Sequence, residues 1–102
     1  MAVEHINENQ FKSVVLESEK PVLVDFFAKW CGPCRQMSPI LEQVSEERSD
    51  VKIVKVDVDE NQNLAAEYGV MSIPTLIYFK GGKAVSQAVG ARSKASLEMM
   101  LV

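Results

Sequence analysis

The run Val22-Leu23-Val24-Asp25-Phe26-Phe27-Ala28 constrains the fold of this chain more than any other segment. β-Branched and aromatic residues follow one another there with a single polar break, the pattern of a strand buried on both faces. A strand covered twice needs helices above and below its sheet. Asp25 is the break, and a carboxylate among such neighbours asks for a reason.

The flanking segments supply the cover. Asn7 is a good N-cap, and Phe11, Val14 and Val15 follow at helical spacing, predicting an amphipathic helix over about 7–18 after a short strand at 2–6. Met37, Ile40, Leu41 and Val44 predict a second helix over about 34–48, which Pro39 should kink by removing one hydrogen bond and crowding the preceding turn. Val51 to Asp57 reads as another strand. Asp59 with Gln62 resembles a capping box for a short helix through Leu64, Ala65 and Tyr68, closed by Gly69. Thr75 to Phe79, Gly81-Gly82 and Ala84 to Val89 form a hairpin signal, and Ser93 caps a last helix bearing Leu97, Met100 and Leu101. That helix runs out near Val102, so its final turn is expected to fray. The order βαβαβα followed by ββα implies an α/β fold, a mixed sheet covered on both faces. With 102 residues, 47% of them hydrophobic, the chain suffices for one domain over 1–102 and no second.

Charge and hydropathy remove several classes of function. A net charge of −3 with scattered Lys and Arg is the wrong surface for nucleic acid. No stretch approaches the roughly 20 consecutive apolar residues of a membrane helix. Met1 to Asn9 has neither a basic region nor an apolar run, so a cytoplasmic protein without a secretory signal is expected, although a mature organellar form would read the same. His5, the single histidine, lies in a polar context and is expected to be a solvent-exposed spectator.

The chain has two cysteines, both in Trp30-Cys31-Gly32-Pro33-Cys34 between a predicted strand and a predicted helix. Structural zinc or an iron–sulfur cluster normally needs four ligands, and two cysteines with a distant histidine do not supply them unless a second chain contributes. A purely structural disulfide is a weak alternative, because closing so short a loop removes little entropy from the unfolded chain. Redox chemistry is the third reading, and local physics favours it. A Cys31 at the helix start has its thiolate stabilised by unpaired N–H groups and the helix dipole, which makes it the nucleophile. Cys34, one turn further in, is placed to attack a mixed disulfide on Cys31 while shielded from outside reagents. Pro33 loses little near a helix start, and Gly32 lets a partner backbone approach. With no cation between the cysteines to stabilise the reduced form strongly, the pair is expected to act as a reductant.

The residues Val24-Asp25-Phe26, Ala28, Trp30 to Cys34, Pro39, Lys55, Asp59, Tyr68-Gly69, Ile73-Pro74-Thr75, Phe79, Gly82 and Val89-Gly90-Ala91 together resemble the thioredoxin family, most closely its bacterial-type members. The resemblance spans nearly the whole chain. It implies a five-stranded mixed sheet flanked by four helices, a redox disulfide between Cys31 and Cys34, and a cis Ile73-Pro74 bond facing them. That bond would turn the Ile73 backbone toward an extended substrate segment.

By residue type alone, Asp25 is either a strand-edge carboxylate reaching water or a buried acid with a raised pKa. The resemblance implies the second, an acid–base group that helps deprotonate Cys34 directly or through water, with Lys55 tuning it. It likewise implies that Trp30, Gly32, Pro33, Ile73, Pro74, Val89, Gly90 and Ala91 form an apolar docking surface for proteins bearing disulfides. No cofactor or metal would bind the chain itself. Electrons would come from thioredoxin reductase, an NADPH-dependent flavoprotein, and the chain would act as a monomer in cell redox homeostasis. Phe27 stands where many relatives have Trp, which changes packing beneath the motif and leaves its chemistry intact. A scaffold role without thiol turnover and an oxidase or isomerase role are the rival readings.

Overall fold

The computed structural model describes residues 3–102. Five strands form one sheet in the order β1 (Val3–His5), β3 (Lys52–Asp57), β2 (Val22–Phe27), β4 (Thr75–Lys80), β5 (Lys83–Val89). The first three are mutually parallel, whereas β4 runs antiparallel to β2 and β5 antiparallel to β4. The strand expected from residue 2 begins at Val3 in this description, and Ala2 lies outside the described residues.

β2 is buried along its whole length, at the centre of the sheet where its composition placed it. Period-2 alternation divides its side chains between two cores. Val22, Val24 and Phe26 point to one side, against Phe11, Val15 and Leu64; Leu23 points to the other, against Met37, Leu41 and Leu97. The helices on the first side are α1 (Glu8–Phe11) and α3 (Gln62–Glu67), and on the second α2 (Gly32–Glu47) and α4 (Lys94–Met100).

Local sequence explains most of these boundaries. Asn7 accepts hydrogen bonds from the N–H groups of Asn9 and Gln10, while the Gln10 side chain returns one to the Asn7 N–H. Beyond Phe11 the helix widens into a π-helical segment, Lys12–Leu16, closed by Glu17 N–H donating to the Lys12 carbonyl at 2.9 Å. Phe11 and Val15 are both buried in the core. In the hairpin, Gly82 at φ +80° lies so close to the end of the π-helical segment that a Cβ would come within 2.7 Å of the Leu16 carbonyl oxygen, so glycine is required there on two counts.

Three expectations need correction. α2 starts at Gly32, two residues before Cys34, and ends at Glu47 with Pro39 inside it. Asp59 does not cap α3. Its N–H is already taken by Asp57 Oδ1 at 2.9 Å, so Gln62 Nε2 reaches the Asp59 carbonyl instead, and the helix begins after Asn61. The final turn is tied down: Leu101 is buried, Arg48 donates to its carbonyl at 3.1 Å, and Lys80 donates to the Val102 carbonyl at 2.6 Å.

Candidate redox site

Where β2 ends, the chain must reverse to begin α2 beneath the same sheet. Residues 28–31 make that turn, with Cys31 N–H donating to the Ala28 carbonyl at 3.2 Å. Cys31 is the N-cap of α2, with extended backbone angles, and its sulfur accepts the Cys34 N–H at 3.2 Å. A side chain at this position takes up a helix donor that otherwise lacks a partner, and negative charge there is stabilised by the dipole. Cys31 and Cys34 are joined as a disulfide, their Cα atoms 5.3 Å apart.

The two sulfur-bearing residues differ less in exposure than their assigned roles suggest: Cys31 retains 4% of its surface and Cys34 1%. Phe27, Ala28 and Ile73 close around both of them. Both cysteines are thus sheltered in the oxidised form. The Ile73 carbonyl oxygen lies 3.9 Å from Cys31 Sγ. A disulfide sulfur carries no hydrogen, so this is a contact and not a hydrogen bond.

The Ile73-Pro74 bond is cis. The Pro74 carbonyl accepts the Gly90 N–H at 2.8 Å, and Thr75 pairs with Val89, so the β4 and β5 ends bring Ile73 and the Val89-Gly90-Ala91 segment to the same rim. Trp30, Pro33, Val89 and Ala91 are exposed there, and Gly32, Ile73 and Gly90 are half-buried. Pro74, expected on the surface, is itself buried because it leads directly into the central part of the sheet. Trp30 is 68% exposed, yet its ring is held in place by Nε1 donating to Asp59 Oδ2 at 2.8 Å.

Asp25 lies on the α2 side of β2, fully buried, and neither of its carboxylate oxygens has a hydrogen-bond partner among the described residues. Loss of hydration raises its pKa from 3.8 to about 7, against the opposing pull of the Lys55 charge. Lys55 faces Asp25 across the β2–β3 pairing. Its ammonium, however, donates to Ser38 Oγ at 2.7 Å and sits 4.5 Å from the centroid of the Phe27 ring. His5 meets the same ring edge-on, with centroids 5.5 Å apart. Lys55, Ser38, Phe27 and His5, with Cys34, line a cleft of about 290 Å³ between α2 and the β1 edge of the sheet.

Sequence reasoning did not single out Ser38, and it read Asp59 as a helix cap and not as the partner of Trp30. Ser38 had a legible signal, since it stands one helical turn after Cys34 and therefore on the same line of α2. The Trp30–Asp59 bond spans 29 residues of sequence and had none. His5 is exposed as expected, but it forms part of the cleft wall.

Among the described residues no group of three or more His, Cys, Asp or Glu is placed to hold a metal ion, and no helix is long and apolar enough to cross a membrane.

Comparison with known proteins agrees with this geometry. The family model described as Thioredoxin matches residues 2–102. Thioredoxin of Streptomyces clavuligerus is 52% identical over 95 residues, covering 93% of this chain and 89% of that protein. Thioredoxin of Porphyra purpurea is 47% identical over 102 residues, with 99% and 95% covered, and that of a Synechocystis strain 48% over 101 residues, with 98% and 94% covered. A cysteine pair bonded across the first turn of a helix, in a five-stranded sheet with this strand order, is the apparatus of dithiol–disulfide exchange, and the chain belongs to the thioredoxin family of disulfide oxidoreductases.

Proposed function

We propose that this chain, acting as one domain over residues 1–102, reduces disulfides in other proteins, with Cys31 attacking and Cys34 resolving. The observation that carries the reading is the Cys34 N–H aimed at Cys31 Sγ at the first turn of α2. That donor stabilises a thiolate on Cys31, and burial disfavours one on Cys34.

In the cycle, the Cys31 thiolate attacks one sulfur of the target disulfide and forms a mixed disulfide. The other target sulfur leaves as a thiolate and takes a proton from water. Cys34 then gives its proton to Asp25, directly or through water, attacks Cys31 Sγ and expels the second target sulfur, which is protonated in turn. Two electrons pass from the Cys31–Cys34 pair to the target, leaving the disulfide form. Asp25 suits the proton step because a group with a pKa of about 7 both accepts and returns a proton near neutral pH.

An extended target segment lies along the Trp30, Pro33, Ile73 and Val89-Gly90-Ala91 rim, reading the backbone of Ile73 more than any pocket. Such recognition accepts many sequences. Re-reduction by thioredoxin reductase, an NADPH-dependent flavoprotein, completes the cycle in the cytoplasm, where the chain works as a monomer in redox homeostasis; no cofactor is held by the chain itself.

Cys34→Ser tests the assignment. With a disulfide-bearing protein such as insulin, this variant should accumulate a mixed disulfide on Cys31, whereas Cys31→Ser should accumulate none and lose turnover. Equal trapping by both variants overturns the assigned roles. Titration of the pair against a glutathione buffer tests the direction, and a potential as oxidising as that of an oxidase sinks the reductase reading.

A further inference from the structure

Asp25 and Lys55 are paired across neighbouring strands with their side chains on the same face of the sheet, and the expected outcome of that arrangement is an ion pair. It does not form. The Lys55 ammonium instead donates to Ser38 Oγ, and both Asp25 oxygens are left without a partner among the described residues.

We propose that Ser38 is a positioning residue of the redox centre, its hydroxyl holding the Lys55 ammonium against Phe27 and out of contact with the Asp25 carboxylate. The inference rests on the acid–base role assigned to Asp25 above. An acceptor on α2, one turn beyond Cys34, draws Lys55 toward the helix and the cleft, and the ring face supplies a second favourable contact 4.5 Å away. Lys55 is 7% exposed, so its ammonium cannot simply retreat into bulk water. Without the Ser38 hydroxyl, the acceptor that the β2–β3 register sets beside the flexible Lys55 stem is the Asp25 carboxylate.

The consequence is chemical. A carboxylate in direct contact with an ammonium is held in its charged form and titrates about 1 to 3 units lower. Asp25 would then be a permanent anion at neutral pH and a weaker base toward Cys34. Among the other groups near the pair, His5 flanks Lys55 from β1, Asp57 follows it on β3, Lys29 and Arg35 stand at the cleft mouth, and Cys34 lies on α2. β4 places Leu76 opposite Asp25 with Tyr78 one pair beyond, opposite Leu23, and α4 contributes Leu97 to that core. Of the charged groups, Lys55 alone acts appreciably on Asp25.

The test is the titration of the Asp25 side-chain carboxyl, followed by carbon NMR in the full-length oxidised protein. In Ser38→Ala the midpoint should fall by about one unit or more, as a new ammonium contact requires. Ser38→Thr, which keeps the hydroxyl, should titrate like the unsubstituted protein. In a Lys55→Gln background, Ser38→Ala should leave the midpoint where Lys55→Gln alone puts it. Alanine is a better helix former than serine, so folding is not at risk. An unmoved or raised midpoint in Ser38→Ala overturns the proposal, as does a fall that persists without Lys55. The pH profile of mixed-disulfide resolution separates this from the Asp25 role. A lowered carboxyl midpoint with an unchanged rate profile leaves Ser38 in place as the positioning residue and removes Asp25 as the base.

Discussion

The two faces of the sheet are built from alternate residues of the same strands and differ in kind. On the α1–α3 face, Phe11, Tyr68 and Phe79 meet with ring centroids 5.4 to 5.7 Å apart, and the buried polar side chains on that side, Thr75 and Asn61, are uncharged and hydrogen-bonded. On the α2–α4 face, the core is equally apolar along Leu23, Ile53, Leu76 and Tyr78, yet toward α2's first turn it gives way to Asp25, Lys55 and the cysteines. The first face stabilises the fold. The second gives up some stability, because its buried carboxyl is costly to ionise.

The contrast can be broken on the first face by truncating Phe26. Phe26→Ala should cost about 3 to 5 kcal/mol, the range for emptying a packed aromatic site, while the reduction potential of the cysteine pair stays put. Urea unfolding and a glutathione titration check the two halves; a large change in potential would mean that the faces are not energetically separate.

Asp25→Asn probes the second face. The folded pKa is about 7 and the ordinary value 3.8, so below the lower value both states are protonated and ionisation costs nothing. As pH rises between the two, the unfolded chain releases its proton and the native state keeps it, so the native protein loses stability until the folded pKa is passed. At about 1.4 kcal/mol per unit the loss totals about 4 kcal/mol. Asn does not titrate. The variant should therefore gain on the unsubstituted protein as pH rises from 4 to 8, with resolution of the mixed disulfide slowed. Unfolding curves at several pH values decide the matter: a stability difference that is constant with pH denies Asp25 its buried, titrating state.

The smallest effect is expected at the rim. Asp59→Ala removes the acceptor of the Trp30 ring at an exposed site, and should cost about 1 kcal/mol or less. Its consequence is a more mobile Trp30, the single Trp of the chain. Lower fluorescence anisotropy of Trp30, with a modestly weakened KM for protein substrates and unaltered reactivity toward small thiols, is the expected pattern. Unchanged anisotropy would show that the hydrogen bond does not hold the ring.

Much of this was legible in the chain because it rests on short-range rules. Asn7 and Ser93 announce helix starts through side-chain acceptors, and both cap as their residue types dictate. The burst from Val22 to Phe27 declared a central strand, and the cysteine spacing declared one helical turn between two sulfurs. The failure at Asp59 has the opposite origin: a local capping pattern was present, but Asp57 and Trp30, from outside the pattern, had already claimed its polar groups. The tail from Leu101 to Val102 read as loose because neither Arg48 nor Lys80 is near it in sequence.

The sequence by itself determined the alternation of strands and helices, the two cores on either side of β2, and the pair of thiols that can close on each other, since each depends on residues a few positions apart. Tertiary structure alone decided that Asp25 and Lys55 stand side by side without pairing, that Ser38 takes the ammonium, and that Cys31 meets the Ile73 carbonyl. The reason is geometric: a hydrogen bond or charge contact is settled within a few ångströms, and which distant residues come that close is fixed only when the sheet and helices have packed.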